Sequence, residues 1–209
     1  FVMKTQAAEN QTGESDSISF GDSDNKFTYK IKENKLTVSY SEGKGEMPDY
    51  DVTSAPWKEG LAVEESDSNS IKGIEIGEKI TSIGKNTFTV ASGAAISENN
   101  SVKKVVLPTT LKKINSKAFA NLKKLDTLII GSTSSECKVL EGSFEGSKSP
   151  DKLCYLGEGS SPTTFGGMNF QNGSGTTDVT ISITKHYYDS EGKAESSSAT
   201  TDKYIPKDI

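Results

Sequence analysis

A chain of 209 residues has room for one large domain or two small ones, yet only 32% of it is hydrophobic, a low share for a globular chain even when its 19 glycines are added. No run of about 18 apolar residues exists, so no segment reads as a transmembrane helix. A net charge of −5, with lysine supplying all 24 basic residues and arginine none, excludes a nucleic-acid-binding face. The same scarcity of large apolar side chains disfavours a deep-cored enzyme and leaves a β-rich protein with a thin or elongated core.

Residues 1–25 are predicted to form a polar, disordered segment. Phe1-Val2-Met3 and Ala7-Ala8 lack a basic n-region and a full apolar h-region, so the start reads as a chain whose targeting segment has been removed or left out. Asp22-Ser23-Asp24-Asn25 has two carboxylates at a calcium-loop-like spacing but lacks the following glycine and the distant glutamate, and reads as a solvated turn. Over 26–70, Phe27-Tyr29-Ile31 and Leu36-Val38-Tyr40 alternate with polar residues around Glu33-Asn34, the pattern of a β-hairpin. A loop from Glu42 to Gly60 follows, anchored by the single tryptophan, Trp57, and then a polar acidic turn over 64–70. Glu46, Asp49 and Asp51 in that loop are the candidates for a carboxylate acid/base pair of the glycosidase kind. Nothing else around them points to catalysis, and they read as ordinary polar loop residues.

From Ile71 the texture changes to short apolar triplets that repeat. Ile71-x-x-Ile74-x-Ile76 lines up with Val102-x-x-Val105-x-Leu107, with Leu125-x-x-Leu128-x-Ile130 and with Leu153-x-x-Leu156. A second signature follows the first two: Ile80-x-x-Ile83-x-x-x-x-Phe88 and Leu111-x-x-Ile114-x-x-x-x-Phe119. Val139-x-x-x-x-Phe144 matches it in part. The triplet starts are 31, 23 and 28 residues apart, so a fixed pattern alternates with loops of variable length. In such a pattern the first, fourth and sixth residues face a narrow core, and the third and fifth face outward from a parallel sheet. The phenylalanine plugs the opposite wall, and Lys117-Ala118-Phe119-Ala120 suits a short helical turn. One coil buries too little to stand alone, so stability comes from stacking neighbours. The predicted fold class is therefore an α/β solenoid dominated by β. Its short right-handed coil of parallel strands spans about three and a half turns over 71–157, with β-hairpin caps expected to flank it: a hairpin cap at 26–70 and a β-containing cap or tail at 158–209. In the last segment only Val179-Ile181-Ile183 alternates cleanly.

Other residues are less informative. Cys137 and Cys154 are read as either one bridge or two buried thiols, and without a CxxC neither reads as a zinc or redox site. His186, beside Tyr187 and Tyr188, reads as a strand residue. No nucleotide-binding or nucleophile-elbow motif occurs, and no cofactor or metal is implied. Asn99-Asn100-Ser101 and Asn172-Gly173-Ser174 fit the glycosylation pattern, which carries no weight if the source is bacterial. The lysine pairs 103–104, 112–113 and 123–124 recur with the repeat and read as solubilising charge.

Together these motifs resemble the BspA-type (Treponema pallidum-like) leucine-rich repeats of bacterial surface and secreted proteins. Leu107-Pro108-Thr109-Thr110-Leu111 through Ala118-Phe119 to Leu125 is similar to that family's repeat, and Ile80 to Phe88 to its first-repeat form, with Thr87 in place of alanine. The hairpin, Gly45-Glu46-Met47-Pro48-Asp49-Tyr50 and Ala55-Pro56-Trp57 resemble the cap preceding the repeats in many Firmicutes and other gut-associated members. The resemblance covers roughly residues 26–156. It implies a leucine-rich-repeat module without enzymatic activity, secreted or wall-associated, that mediates adhesion through a host or bacterial surface protein. A structural spacer within a larger surface protein is the alternative. The outward strand positions Glu75, Lys104, Val106, Thr127, Ile129 and Tyr155 are the expected binding surface, with Val106, Ile129 and Tyr155 forming an exposed apolar ladder.

Overall fold

The computed structural model describes residues 17–91, 100–131 and 137–155, and the strands that follow between 163 and 195. In chain order these residues form β1 (Ile18–Gly21), β2 (Asn25–Lys32), β3 (Lys35–Gly43), the single-turn helix α1 (Lys58–Leu61), β4 (Gly73–Ile76), β5 (Ser82–Ile83), β6 (Lys104–Leu107), β7 (Lys113–Ile114), β8 (Thr127–Ile130), β9 (Lys138–Val139), β10 (Ser147–Lys148) and β11 (Lys152–Tyr155). The remaining strands are β12 (Thr163–Phe165), β13 (Asn169–Asn172), β14 (Gly175–Asp178), β15 (Ile181–Ile183), β16 (Tyr187–Tyr188) and β17 (Ala194–Glu195).

Strands β2 and β3 form the expected hairpin. Glu33 and Asn34 turn the chain with φ of 50° and 62°, the doubly left-handed turn whose twist matches that of the strands it joins. Asn34 also ties the hairpin to the next segment, its amide donating to the carbonyl oxygens of Ser68 and Ser70. From β3 onward the sheet is parallel, in the order β1-β2-β3-β4-β6-β8-β11. A second, smaller parallel sheet, β5-β7-β9, runs through the same repeats. Each repeat thus contributes one strand to each sheet, and the apolar triplets lie between them.

Register explains the buried positions. Leu36, Ile74, Val105 and Leu128 occupy one inward row across the large sheet; Val38, Ile76, Leu107 and Ile130 occupy the next. Ile74, Val105 and Leu128 are sealed, and Ile83 and Ile114 face them from the small sheet in one apolar cluster. Parallel pairing keeps equivalent residues in line, so a residue of the same parity in each repeat faces the same way.

An aromatic column runs through this core. Trp57, Phe88, Phe119 and Phe144 follow one another with ring centroids 5.4, 5.2 and 5.0 Å apart and planes within 18° of parallel. Trp57 lies at the hairpin end, where Phe20, Tyr29 and Tyr50 meet it edge-on, and its indole N–H donates to the Thr87 carbonyl. The loop 42–60 therefore supplies the first ring of a column that the repeats continue.

The segment before each phenylalanine differs from the expected helical turn. It is a tight turn whose residue two before the ring is left-handed: Asn86 at 57°, Lys117 at 56° and Gly142 at 76°. A left-handed residue cannot continue an α-helix, and it returns the chain within three residues so that the ring enters the core.

Side chains also clamp one repeat to the next. Ser101 Oγ donates to the Ile71 carbonyl, Thr110 Oγ1 to Ile80, and Ser147 Oγ to Phe119 while accepting from the Leu122 N–H. Half-buried Lys58 donates to the Asn86 and Thr89 carbonyls, and burial pushes its pKa down to about 8. Cys137 is a free, buried thiol, so the bridge to Cys154 does not form. It joins the core cluster two residues before Val139, where the sequence pattern has no apolar position.

Candidate functional site

The strand face singled out from sequence is the outward side of the large sheet. Register places Thr37, Glu75, Val106 and Ile129 in one outward row, and Lys35, Gly73, Lys104, Thr127 and Lys152 in the other. Glu75, Lys104 and Val106 are half-buried and reachable. The Glu75 carboxylate is engaged by Lys35 at 2.8 Å.

Two of the six expected positions need correction for burial, and the pairing of a third differs from the triplet alignment. Thr127 is buried and Ile129 has no exposed surface, although both occupy the outward rows as the alternation requires. Outward parity in a strand describes direction only; exposure depends on what lies above. β15 comes close to β11, the neighbour of β8. Strand pairing sets Tyr155 beside Ile130 and Cys154 beside Ile129. The fourth repeat therefore aligns Leu153 with Leu128 rather than with Leu125, an offset of three residues from the alignment of the triplets. Among the described residues the exposed large hydrophobics are Ile18 and Val52, neither of them in this ladder. The expected continuous apolar ladder is replaced by one half-buried valine flanked by charge.

The carboxylate candidates fall apart as a group. Glu46 and Asp49 line an open cleft of about 600 Å³ beside the small sheet, whereas Asp51 lies outside it with its N–H donating to Ser54 Oγ. Asp22 shares that cleft, and its Oδ1 accepts from the N–H groups of Asp24 and Asn25, which makes the Asp22–Asn25 stretch a turn. No group of three or more His, Cys, Asp or Glu able to hold a metal ion occurs among the described residues. His186 lies outside the described residues.

The repeating lysine pairs divide by environment. Glu65 accepts an ion pair from Lys103 and a second, at 3.7 Å, from Lys124, bridging consecutive repeats. Lys112 and Lys113 instead face the cleft together with Lys138 from the next repeat. Sequence periodicity detects the recurrence of these pairs but carries nothing about which carboxylate each one meets.

A family model described as a BspA type leucine rich repeat region (6 copies) matches residues 66–148 and 93–192, which together span more than half of the chain. The match begins after the hairpin and extends past residue 156, where the resemblance drawn from motifs ended. Comparison with curated proteins and with solved structures finds no match. A repeat region of this kind suggests a protein–protein interaction module of a surface protein, typically without enzymatic activity. With its β-rich repeat fold, one mostly parallel sheet and a second parallel one, the chain belongs to the BspA-type leucine-rich repeat family.

Proposed function

We propose that this chain is a non-enzymatic, extracellular binding module that mediates adhesion at the bacterial surface by engaging a host or bacterial surface protein. Its repeats wind as a short right-handed solenoid, with the β2–β3 hairpin closing the first coil. Supporting this reading is one observation above others: the outward rows of β4 and β6 hold Glu75, Lys104 and Val106 accessible on a sheet whose inward rows are sealed. Side chains fixed on such a scaffold lose little freedom on binding, which favours recognition.

The test is capture from matrix and mucosal extracts on the immobilised chain, followed by binding of the identified partner to variants. Val106→Glu and Lys104→Glu should weaken capture without lowering the melting temperature. Ile129→Glu is unsuitable because it would bury a charge. If no partner is retained under any condition, the spacer role is the better account; turnover in glycosidase or protease assays would overturn both.

A further inference from the structure

The loop before the repeats runs beside the small sheet as a fourth, irregular strand. Glu46 bridges Ser82 in parallel, the Met47 N–H donates to the Ser82 carbonyl and the Tyr50 N–H to Lys85. This approach is close enough to require a glycine: a Cβ on Gly84 would lie 2.0 Å from the Pro48 carbonyl oxygen. Through this bridge and the β5-β7-β9 ladder, Glu46, Ser82, Lys113 and Lys138 fall in one row across four neighbouring segments. At a strand spacing of about 4.8 Å the row is roughly 14 Å long, the reach of about four residues of extended chain.

The row is polarised. Asp22, Glu46 and Asp49 line one end of the cleft; Lys112, Lys113 and Lys138 line the other, all exposed. Among the described residues the three ammonium groups form no ion pair, unlike Lys103 and Lys124, and the Glu46 carboxylate likewise meets no partner there. Between the two ends the lining is polar and uncharged: Ser82 and Asn115, the latter held by its amide on the Ile83 carbonyl. A uniformly anionic polymer laid along the row would meet the lysines at one end and carboxylates at the other. A segment carrying both signs in sequence would meet an opposite charge at each end.

We propose that this cleft is a second docking site, on the small-sheet side, for an extended polypeptide segment with an acidic block followed or preceded by a basic one. The acidic block lies over Lys112, Lys113 and Lys138, and the basic block over Glu46 and Asp49. The site uses none of the residues of the large-sheet surface, so the two readings stand or fall separately.

The probe is a labelled peptide with a block of glutamates, a glycine spacer and a block of lysines, titrated with the full chain by fluorescence anisotropy at low ionic strength. An all-glutamate peptide of equal length and heparin serve as uniformly anionic competitors. The block peptide should bind at least about tenfold more tightly than either, and weaken as salt shortens the electrostatic range to about 8 Å at physiological ionic strength. The double variant Lys113→Glu with Lys138→Glu, and separately Glu46→Lys, should each weaken it about tenfold with unchanged melting temperature. Equal binding of heparin or polyglutamate would identify a plain polyanion site and overturn the proposal. Unchanged binding by these variants, or no binding of the block peptide at low salt, would overturn it as well.

Discussion

Phe119 is the residue on which the repeats depend most directly for their coupling. Its ring lies between Phe88 at 5.2 Å and Phe144 at 5.0 Å, with planes 16° and 14° from parallel, and no part of it is exposed. Truncation to alanine should cost about 3–5 kcal/mol through lost transfer energy and the cavity left behind. Phe119→Leu is the sharper perturbation, because it keeps most of the apolar surface and removes the two ring contacts. At about 0.5–1.5 kcal/mol per aromatic pair, this predicts a loss of about 1–3 kcal/mol. Urea unfolding followed by circular dichroism and by Trp57 fluorescence measures it, and the two probes should report one transition, because Trp57 ends the same column. A double-mutant cycle with Phe88→Leu should return a coupling of about 0.5–1.5 kcal/mol. If Phe119→Leu is indistinguishable from the parent chain, or the two substitutions add within about 0.3 kcal/mol, the column is passive filling and the reasoning fails.

Lys117 holds a left-handed φ of 56° where the next repeat uses Gly142, so Lys117→Gly should raise stability by up to about 1 kcal/mol while Gly142→Ala should lower it by a similar amount; thermal melts decide both. Ser147→Ala leaves the buried Leu122 N–H without its acceptor and should cost about 1–3 kcal/mol by urea titration. Burial raises the Cys137 thiol from 9.0 to about 12, so the unfolded chain releases this proton first and stability should fall as pH rises from 9 towards 12; Cys137→Ala should flatten that slope. The same thiol should react with a disulfide reagent only slowly in the native chain and rapidly in urea.

The inward half of the fold was legible because core positions repeat with a parity that pairing preserves. Ile74, Val105, Leu128, Ile83 and Ile114 are all buried where the triplets and the second signature place them. The fourth repeat was misread because an isolated L-x-x-L fits the first two positions of the triplet. Leu153-x-Tyr155 fits the last two equally well, and only the strand register separates them. Ile129 shows a different limit: its direction follows from local alternation, but its burial depends on what covers the sheet, which no local pattern carries. Lys117 hid the left-handed turn, since lysine is no signal for positive φ, whereas Gly142 at the equivalent place is. The cleft was equally invisible, because Glu46 and Lys138 become neighbours in a row only after the loop has paired with β5.

The register rows carry a consequence for how such chains diversify. Ile74 and Val105 are partners across the ladder although 31 positions separate them, while Val105 and Leu128 are partners at 23. Closing the longer connection instead of the shorter costs only about 0.3 kcal/mol more in chain entropy, since the penalty grows with the logarithm of length. Lengthening a connection between strands therefore hardly taxes the ladder, and new sequence can be acquired there while the sealed rows stay as they are. The repeat works as a frame with tolerant joints, in which novelty accumulates between coils rather than within them.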